Sequence, residues 1–195
     1  MIDLQFNIAA FEQRAQEIGA TIDQLPFAIS SAMNESAKVT RRTLVDQTWP
    51  TAMKVRNRSF IGRALRTDYA SKSKLSVSIF DSLGRAGLAR HAMGGIKQGK
   101  GKLAIPTARV VRGASGVRQS QKPRNLKRAV VKGNLIFQAE GRGKGSKLRL
   151  MYKLTPSAQI KKDVPFFETF RAQMRQEMEH AVPLAMLRAM ATRKR

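Results

Sequence analysis

The stretch "GGIKQGKGK", residues 94–102, comes close to a nucleotide-binding loop. Gly94, Gly99 and Lys100 occupy the positions required by the pattern G-x-x-x-x-G-K followed by Ser or Thr, but Gly101 has no hydroxyl to reach Mg²⁺. A working loop of this kind also follows a strand and opens a helix. Here the preceding residues have a helical pattern and the following residues the pattern of a short strand. The sequence therefore predicts no nucleotide hydrolysis at this loop.

Other residue patterns that carry chemistry are missing from the sequence. There is no Cys, which excludes disulfides, thiolate metal sites and cysteine nucleophiles. The two histidines, His91 and His180, have no Asp or Glu cluster beside them in sequence with the spacing of metal ligands. No serine lies in a nucleophile elbow of the type G-x-S-x-G, and no carboxylate pair is spaced for acid–base catalysis. We therefore expect no enzyme, no catalytic residue, no metal site and no cofactor.

The charge of the chain is strongly one-sided. Lys and Arg total 37 against 13 Asp and Glu, which gives a formal net charge of +24 and a sequence pI of about 11.5. Such a charge repels itself in the compact state and attracts polyanions. The partners that this balance favours are nucleic acid, an acidic protein surface or an anionic membrane.

The basic residues concentrate between Asp81 and Glu140, where the sequence has no acidic residue. A long one-signed segment without aromatic residues does not collapse by itself, so we predict an extended basic loop or arm at about 96–133. Only "KLAIPTARVV" within it is apolar enough for a strand. A solvated basic arm is the alternative interpretation. The cations predicted to contact DNA or an acidic partner are Lys97, Lys100, Lys102, Arg109, Arg112, Arg118, Lys122, Arg124, Lys127, Arg128 and Lys132.

Two stretches of helical periodicity occupy the start of the chain, from Ile8 to about Trp49. Pro26 interrupts the pattern, so we expect a short helix ending near Gln24 and a longer one with Pro26 in its first turn. Pro50 predicts that the longer helix ends close to that point. One apolar face of this helix contains Ile29, Ala32, Met33, Thr40 and Leu44.

Strand patterns follow in the middle of the chain and a helix at its end. "KLSVSIFDS" alternates as a half-buried strand does, and "GLARHAMGG" has the pattern of a short helix. "NLIFQAE" and "LRLMYKLT" predict a hairpin, whose second strand places Leu148, Leu150, Tyr152 and Leu154 on one face. The closing helix begins near Pro165, with Pro183 as a candidate kink, and its stripe is Phe167, Phe170, Met174, Met178, Ala181, Ala185 and Ala189.

The length of 195 residues is typical of one domain with extensions, so we predict a single domain over residues 1–195. No apolar run approaches the roughly 18 residues of a membrane span. The first residues lack the basic front of a signal peptide. We therefore expect a soluble, non-exported chain with no membrane partner.

Three stretches together carry a family resemblance: "LPFAISSAMNESAKVTRRTL", "LARHAMGGIKQGKGKLAIPT" and "MYKLTPSAQIKKDVPFFETF". The first resembles an Ala- and Asn-bearing helix, and the second a Gly-Gly turn, basic loop and "AIP" strand. The third, with the terminal helix after it, resembles a closing module. Together these features resemble those of the minor tail protein Z, or tail-completion, group of long-tailed bacteriophages and the related neck proteins.

The resemblance implies an α+β fold, with long N-terminal and C-terminal helices packed on a small antiparallel β-sheet. It implies a structural virion protein that forms a homo-oligomeric ring at the head-proximal end of the tail. Such a ring joins the tail tube or tail terminator protein to the head–tail connector proteins and surrounds the channel of the genomic DNA. The chain would then be located in the host cytoplasm during assembly and in the virion afterwards.

The basic segment, on this interpretation, faces DNA or an acidic neighbouring subunit. The alternative is a non-sequence-specific nucleic-acid-binding protein that uses charge contacts with the phosphate backbone alone. Base-stacking aromatic residues are missing from the basic segment, which argues against a reader of single strands.

Overall fold

The computed structural model describes residues 24–84, 87–114, 116–141 and 146–191, together with Gln13. The described chain divides into two compact units. Unit 1 contains the described residues up to Ala92 and from Lys162 onward, and unit 2 is Met93–Lys161. Each unit has an apolar cluster of its own. The short helix expected to end near Gln24 lies outside the described residues, and the single domain stays a prediction.

The long helix of unit 1 begins as the sequence predicts. Helix α1 is Leu25–Thr43, with Pro26 in its first turn. A π-helical turn, Leu44–Thr48, continues it into the short helix α2, Trp49–Ala52. Pro50 lies in the first turn of α2, where its missing N–H is tolerated. The helical path therefore ends within two residues of the predicted point.

Two further short helices and one long one complete the helical part. Helix α3 is Arg58–Ala64, α4 is Leu88–Met93 and α5 is Phe166–Ala191. Helix α5 is continuous through Pro183. It packs along α1, and Trp49 meets Phe166 edge-on with 6.4 Å between ring centroids. The expected helix near "GLARHAMGG" and the expected terminal helix are therefore confirmed.

The predicted apolar faces form the core of unit 1. All five residues predicted on the α1 face are at most 1% exposed. On α5, Phe167 and Ala181 are half-buried, and the other residues of the predicted stripe are buried: Phe170, Met174, Met178, Ala185 and Ala189.

The small sheet of unit 1 is shorter than the alternation of "KLSVSIFDS" predicts. Strand β1, Leu65–Asp68, pairs antiparallel with β2, Ser78–Asp81. Val77 and Ile79 are buried as expected, but Leu75 is only half-buried and precedes the strand.

Unit 2 is built on a four-stranded antiparallel sheet. Its strands are β3, Gly95–Pro106; β6, Ala129–Lys132; β7, Leu135–Glu140; and β8, Lys147–Ile160. Their order in the sheet is β3-β8-β7-β6. A separate two-stranded pair joins β4, Arg112–Gly113, to β5, Gly116–Val117. The predicted β7–β8 hairpin is confirmed, and part of its connection lies outside the described residues.

The predicted single apolar face of β8 is wrong. The pairing steps from Ile136↔Tyr152 to Phe137↔Leu150, which leaves Met151 as a bulge. Met151 and Tyr152 are both buried, whereas Leu148 is 43% exposed. A bulge adds one residue to one strand and so interrupts the alternation of faces.

The mixed α+β class, with long helices toward both ends of the described chain and an antiparallel sheet, is confirmed. An extended arm at 96–133 is not what the described residues form. Strands β3 and β6 occupy both ends of this segment, and 3-10 turns span Gln119–Gln121 and Pro123–Asn125. The composition of residues 96–133 did not indicate the strand pairing or the few apolar side chains that anchor this segment.

Candidate polyanion-binding surface

The "GGIKQGKGK" stretch lies mostly within β3 and contains a wide bulge. Gln98 pairs with Ser157 and Leu103 with Thr155, so four residues, 99–102, stand opposite Pro156. Proline has no N–H to give to a ladder, which makes its partner strand a natural place for a bulge. Helix α4 precedes the stretch and the rest of β3 follows it. The helix-before and strand-after context that argued against a phosphate loop is therefore confirmed.

The bulge turns back tightly on itself. A Cβ added to Gly99 would lie 2.9 Å from the Gly101 carbonyl oxygen and 2.9 Å from the Leu103 side chain. On the far side of the bulge, the Lys102 ammonium donates a hydrogen bond to Asn134 Oδ1 at 2.7 Å. Asn134 precedes β7, and its carbonyl accepts the Leu154 N–H at 2.7 Å. Lys102 is thus held beside the β6–β7 turn.

The segment between β3 and β6 is anchored on the sheet by a small core. Val110 and Leu126 are buried together with Ile136, Met151 and Tyr152. The Tyr152 hydroxyl donates to the Gln121 carbonyl oxygen at 2.6 Å. Burial raises the pKa of the Tyr152 phenol above its ordinary value of 10.0, against an opposing effect of Arg112. Val110 and Leu126 therefore anchor the segment on the sheet, while its described cations stay exposed to solvent.

The predicted contact residues are all in unit 2 and all have exposed side chains where these are described. Lys100 lies in β3, but its side chain is outside the described set. Arg112 donates to the Pro106 carbonyl at 3.0 Å, and Arg128 donates to the Gly141 carbonyl. The residues with described, exposed side chains are Lys97, Lys102, Arg109, Arg112, Arg118, Lys122, Arg124, Lys127, Arg128 and Lys132.

These cations have no carboxylate partner among the described residues. The described ion pairs of the chain involve other residues. Unit 2 contains 17 Lys and Arg residues and a single carboxylate, Glu140. That carboxylate accepts the Arg149 Nε at 2.6 Å. Unit 2 therefore carries 16 of the 24 net positive charges of the chain, and its one internal counter-charge is already paired.

Sequence reasoning missed part of this surface. Lys147, Arg149 and Lys153 on β8 are exposed and extend the positive charge of unit 2 beyond the predicted residues. In "LRLMYKLT" Arg149 and Lys153 alternate with the apolar residues, and this alternation is the signal that could have predicted them.

The aromatic residues of unit 2 are not available as a stacking platform. Phe137 and Tyr152 are its two aromatic residues. Phe137 is half-buried, and Tyr152 is buried with its hydroxyl already hydrogen-bonded. Recognition of single strands usually stacks bases on exposed aromatic rings. The surface is suited to charge contacts with a phosphate backbone or with carboxylates.

The histidines also have defined surroundings. His91 Nδ1 lies 2.9 Å from Asp163 Oδ1, so this histidine is hydrogen-bonded to a carboxylate far along the chain. His180 is exposed. Among the described residues, no group of three or more His, Asp or Glu side chains could hold a metal ion. Nor does any described helix have the length and apolar character needed to cross a membrane.

Comparisons of the chain with family models, with curated proteins and with solved structures found no match.

Proposed function

We propose that the protein is a structural component of a bacteriophage tail or neck. In this proposal it forms an oligomeric ring that completes the head-proximal end of the tail and joins it to the head connector. Unit 2 faces the DNA of the channel or an acidic neighbouring subunit. The observation that carries the proposal is the surface of unit 2, with 17 cations, one already paired carboxylate and no described carboxylate partner for the predicted contact residues.

Electrostatics supports a polyanionic partner for this unit. Positive charge packed into 69 residues destabilises the compact state by self-repulsion, and a bound polyanion removes that cost. Contact with nucleic acid also releases condensed counterions, which adds affinity that does not depend on base sequence. Both effects favour an assembly in which unit 2 is buried against a negatively charged partner.

The edges of the sheet support assembly into a ring. Strands β3 and β6 are the two edge strands of the four-stranded sheet. Each bears an exposed apolar side chain, since Ile96 on β3 and Val131 on β6 are both 61% exposed. Exposed edges are templates for pairing with another chain. Because the two edges differ, pairing one with the other in the next copy is heterologous, which is the interface type that generates rings.

The family resemblance supplies the biological context of the proposal. A second function is favoured by the same exposed cations taken alone: a nucleic-acid-binding protein that contacts the phosphate backbone without reading its sequence. The lack of an exposed aromatic residue in unit 2 suits duplex rather than single-stranded nucleic acid in that case.

Mass measurement and electron microscopy of the purified protein, with and without phage tails, test the proposal. The expected result is a ring-shaped oligomer that binds to one end of isolated tails. A strictly monomeric protein that binds duplex DNA tightly and never joins tails would contradict the ring proposal and support the second function.

A further inference from the structure

A polar pocket lies on unit 1, beside the last turns of α1. It has a volume of about 360 Å³, which is within the size range of pockets that hold small molecules. Three cations and one carboxylate among its lining residues give it a positive charge, and such a pocket attracts anions. The lining residues are Lys38, Arg41, Arg42, Val45, Asp46 and Tyr69.

Two of the cations keep donors that no described carboxylate uses. The Arg41 guanidinium donates from Nε to the Leu65 carbonyl at 2.8 Å and from Nη2 to the Gly62 carbonyl. These bonds use two of its five N–H groups, and neither acceptor is charged. Arg42 is exposed. The described ion pairs of the chain include neither arginine, so the charge of both is available to a ligand.

The other two charged residues of the pocket restrict the chemistry of that ligand. Lys38 donates to Glu35 Oε1 at 2.7 Å, but both side chains are more than half exposed, and such a pair contributes little stability. Asp46 is exposed and makes no described ion pair, even with the cations that share its pocket. An ionised carboxylate only accepts hydrogen bonds. A ligand must therefore bring negative charge to the cations and a hydrogen-bond donor to Asp46.

Hydrogen bonds hold the walls of the pocket in place. The Asn34 side chain of α1 donates to the Ala70 carbonyl at 3.0 Å and accepts the Ala70 N–H at 2.8 Å. This double contact fixes the backbone next to Tyr69, which lines the pocket. The two bonds of Arg41 join α1 to α3 and to β1. The pocket is therefore formed before a ligand binds, as is usual for small-molecule sites.

The helix changes its hydrogen-bonding pattern at the pocket. Val45 and Asp46 belong to the π-helical turn Leu44–Thr48, which directly follows the α1 residues that supply the cations. A π-helical turn is rare, and within a helix it is frequently located at a functional site. This irregularity is independent of the charges and supports a ligand at the same place.

We propose that this pocket binds a small phosphate monoester that carries hydroxyl groups, as a sugar phosphate does. Three cations and one carboxylate give the lining a net charge of +2, and a phosphate monoester carries about 1.5 to 2 negative charges at neutral pH. Guanidinium groups match phosphate oxygens in bidentate geometry. Asp46 accepts a hydroxyl of the sugar, and the volume leaves room for the sugar beside the phosphate.

This site differs from the surface of unit 2. A phosphodiester in the backbone of DNA carries a single negative charge and offers no hydroxyl to Asp46. All the lining residues belong to unit 1. The inference therefore does not depend on what unit 2 binds.

Isothermal titration calorimetry with ribose 5-phosphate and with methyl phosphate tests the proposal. Both compounds are phosphate monoesters, but only ribose 5-phosphate has hydroxyl groups. It is expected to bind about ten-fold more tightly, because it alone gives the Asp46 carboxylate a donor. Asp46→Ala should remove this preference, since the loss of the negative charge affects both compounds equally.

A second variant tests the phosphate contact. Arg42→Gln should weaken the binding of both compounds by about ten-fold, because it removes a charge-assisted hydrogen bond to the phosphate. The matched control is Arg56→Gln, which neutralises an exposed cation of unit 1 that does not line the pocket. It should leave both affinities nearly unchanged. All three substitutions replace exposed side chains, and circular dichroism verifies that the variants are folded.

Four outcomes overturn the inference. They are no saturable binding of either compound, equal affinities for the two compounds in the unmodified protein, a preference that survives Asp46→Ala, and equal weakening by Arg42→Gln and Arg56→Gln. If neither compound binds but Arg42→Gln weakens the binding of a DNA duplex, the pocket instead contacts the DNA backbone.

Discussion

His91 Nδ1 lies 2.9 Å from Asp163 Oδ1, although 72 residues separate the two in sequence. The backbone strengthens the contact, since the N–H groups of Asp163 and Val164 donate to the His91 carbonyl at 3.1 and 3.2 Å. The chain leaves unit 1 after Ala92 and returns to it at Lys162. This contact therefore joins the residues where the chain leaves unit 1 to the residues where it re-enters unit 1.

Replacing Asp163 by Ala is expected to lower the free energy of unfolding by about 0.5–1 kcal/mol, because the hydrogen bond is lost but both side chains are partly in solvent. Urea denaturation measures the change. Asp46→Ala is the matched control, since it removes an exposed carboxylate that makes no described ion pair. Equal stability of the two variants would contradict a stabilising role of the contact.

The Glu168 carboxylate gives a prediction on pH. It accepts a hydrogen bond from Lys162 at 2.5 Å, and this bond holds its pKa below the ordinary value of 4.5, with help from a backbone hydrogen bond. A lowered pKa in the folded state contributes stability above pH 4.5, which is lost as the pH falls through the folded pKa. Lys162→Met should raise the pKa of Glu168 toward 4.5.

Carboxyl chemical shifts followed by NMR as the pH is lowered report this pKa directly. Lys161→Met serves as the control, because Lys161 is an exposed neighbour that makes no described ion pair. If both variants shift the pKa of Glu168 equally, its cause is the general positive charge and not the Lys162 hydrogen bond.

The bulge of β3 predicts opposite behaviour for two nearby glycines. Gly99→Ala should destabilise the protein by about 1–2 kcal/mol, because its Cβ would meet the backbone oxygen of Gly101 at 2.9 Å. Gly101→Ala should be neutral or slightly stabilising, since nothing lies within 4 Å of its added Cβ. Thermal unfolding of the two variants checks the difference, and a larger loss in Gly101→Ala would rule out this geometry of the bulge.

Short stretches of sequence predicted the helices and strands whose formation depends on residues close together in the chain. Pro26 marked the start of α1, and the three- and four-residue steps of its apolar residues marked the buried face. Alternation and turn residues predicted the β7–β8 hairpin. Each of these predictions depends on the fixed φ of proline or on the side-chain period of a helix or strand. Both are local properties that can be seen in a short stretch of sequence.

Distant partners decided what the sequence could not predict. The bulge at residues 99–102 stands opposite Pro156, and the bulge at Met151 breaks the alternation from which one face of β8 was inferred. The basic segment had the composition of an arm, yet Val110 and Leu126 anchor it on Tyr152. Asp163, whose carboxylate lies beside His91, follows it in sequence only after the whole of unit 2. No local spacing of residues along the chain therefore predicts this contact.

The surface of unit 2 predicts a salt dependence that tests its contact with DNA. Arg124, Lys127 and Arg128 are exposed and follow one another closely at the end of the segment before β6. If each contacts a phosphate, changing all three to Gln should reduce the slope of log K against log salt concentration by about 2.7, at about 0.9 for each contact with B-DNA. Fluorescence anisotropy with a labelled duplex at several salt concentrations measures the slope.

The control for this experiment changes the same amount of charge in unit 1, with Lys54, Arg56 and Arg66 replaced by Gln. These cations are exposed as well, so the net charge of the protein falls by the same amount in the two triple variants. The slope reports direct contacts, because counterions are released where cations lie against phosphates. If the slope falls in the unit 2 variant alone, the DNA contact lies on the predicted segment. If the two triple variants have the same slope, the contact lies elsewhere on the protein.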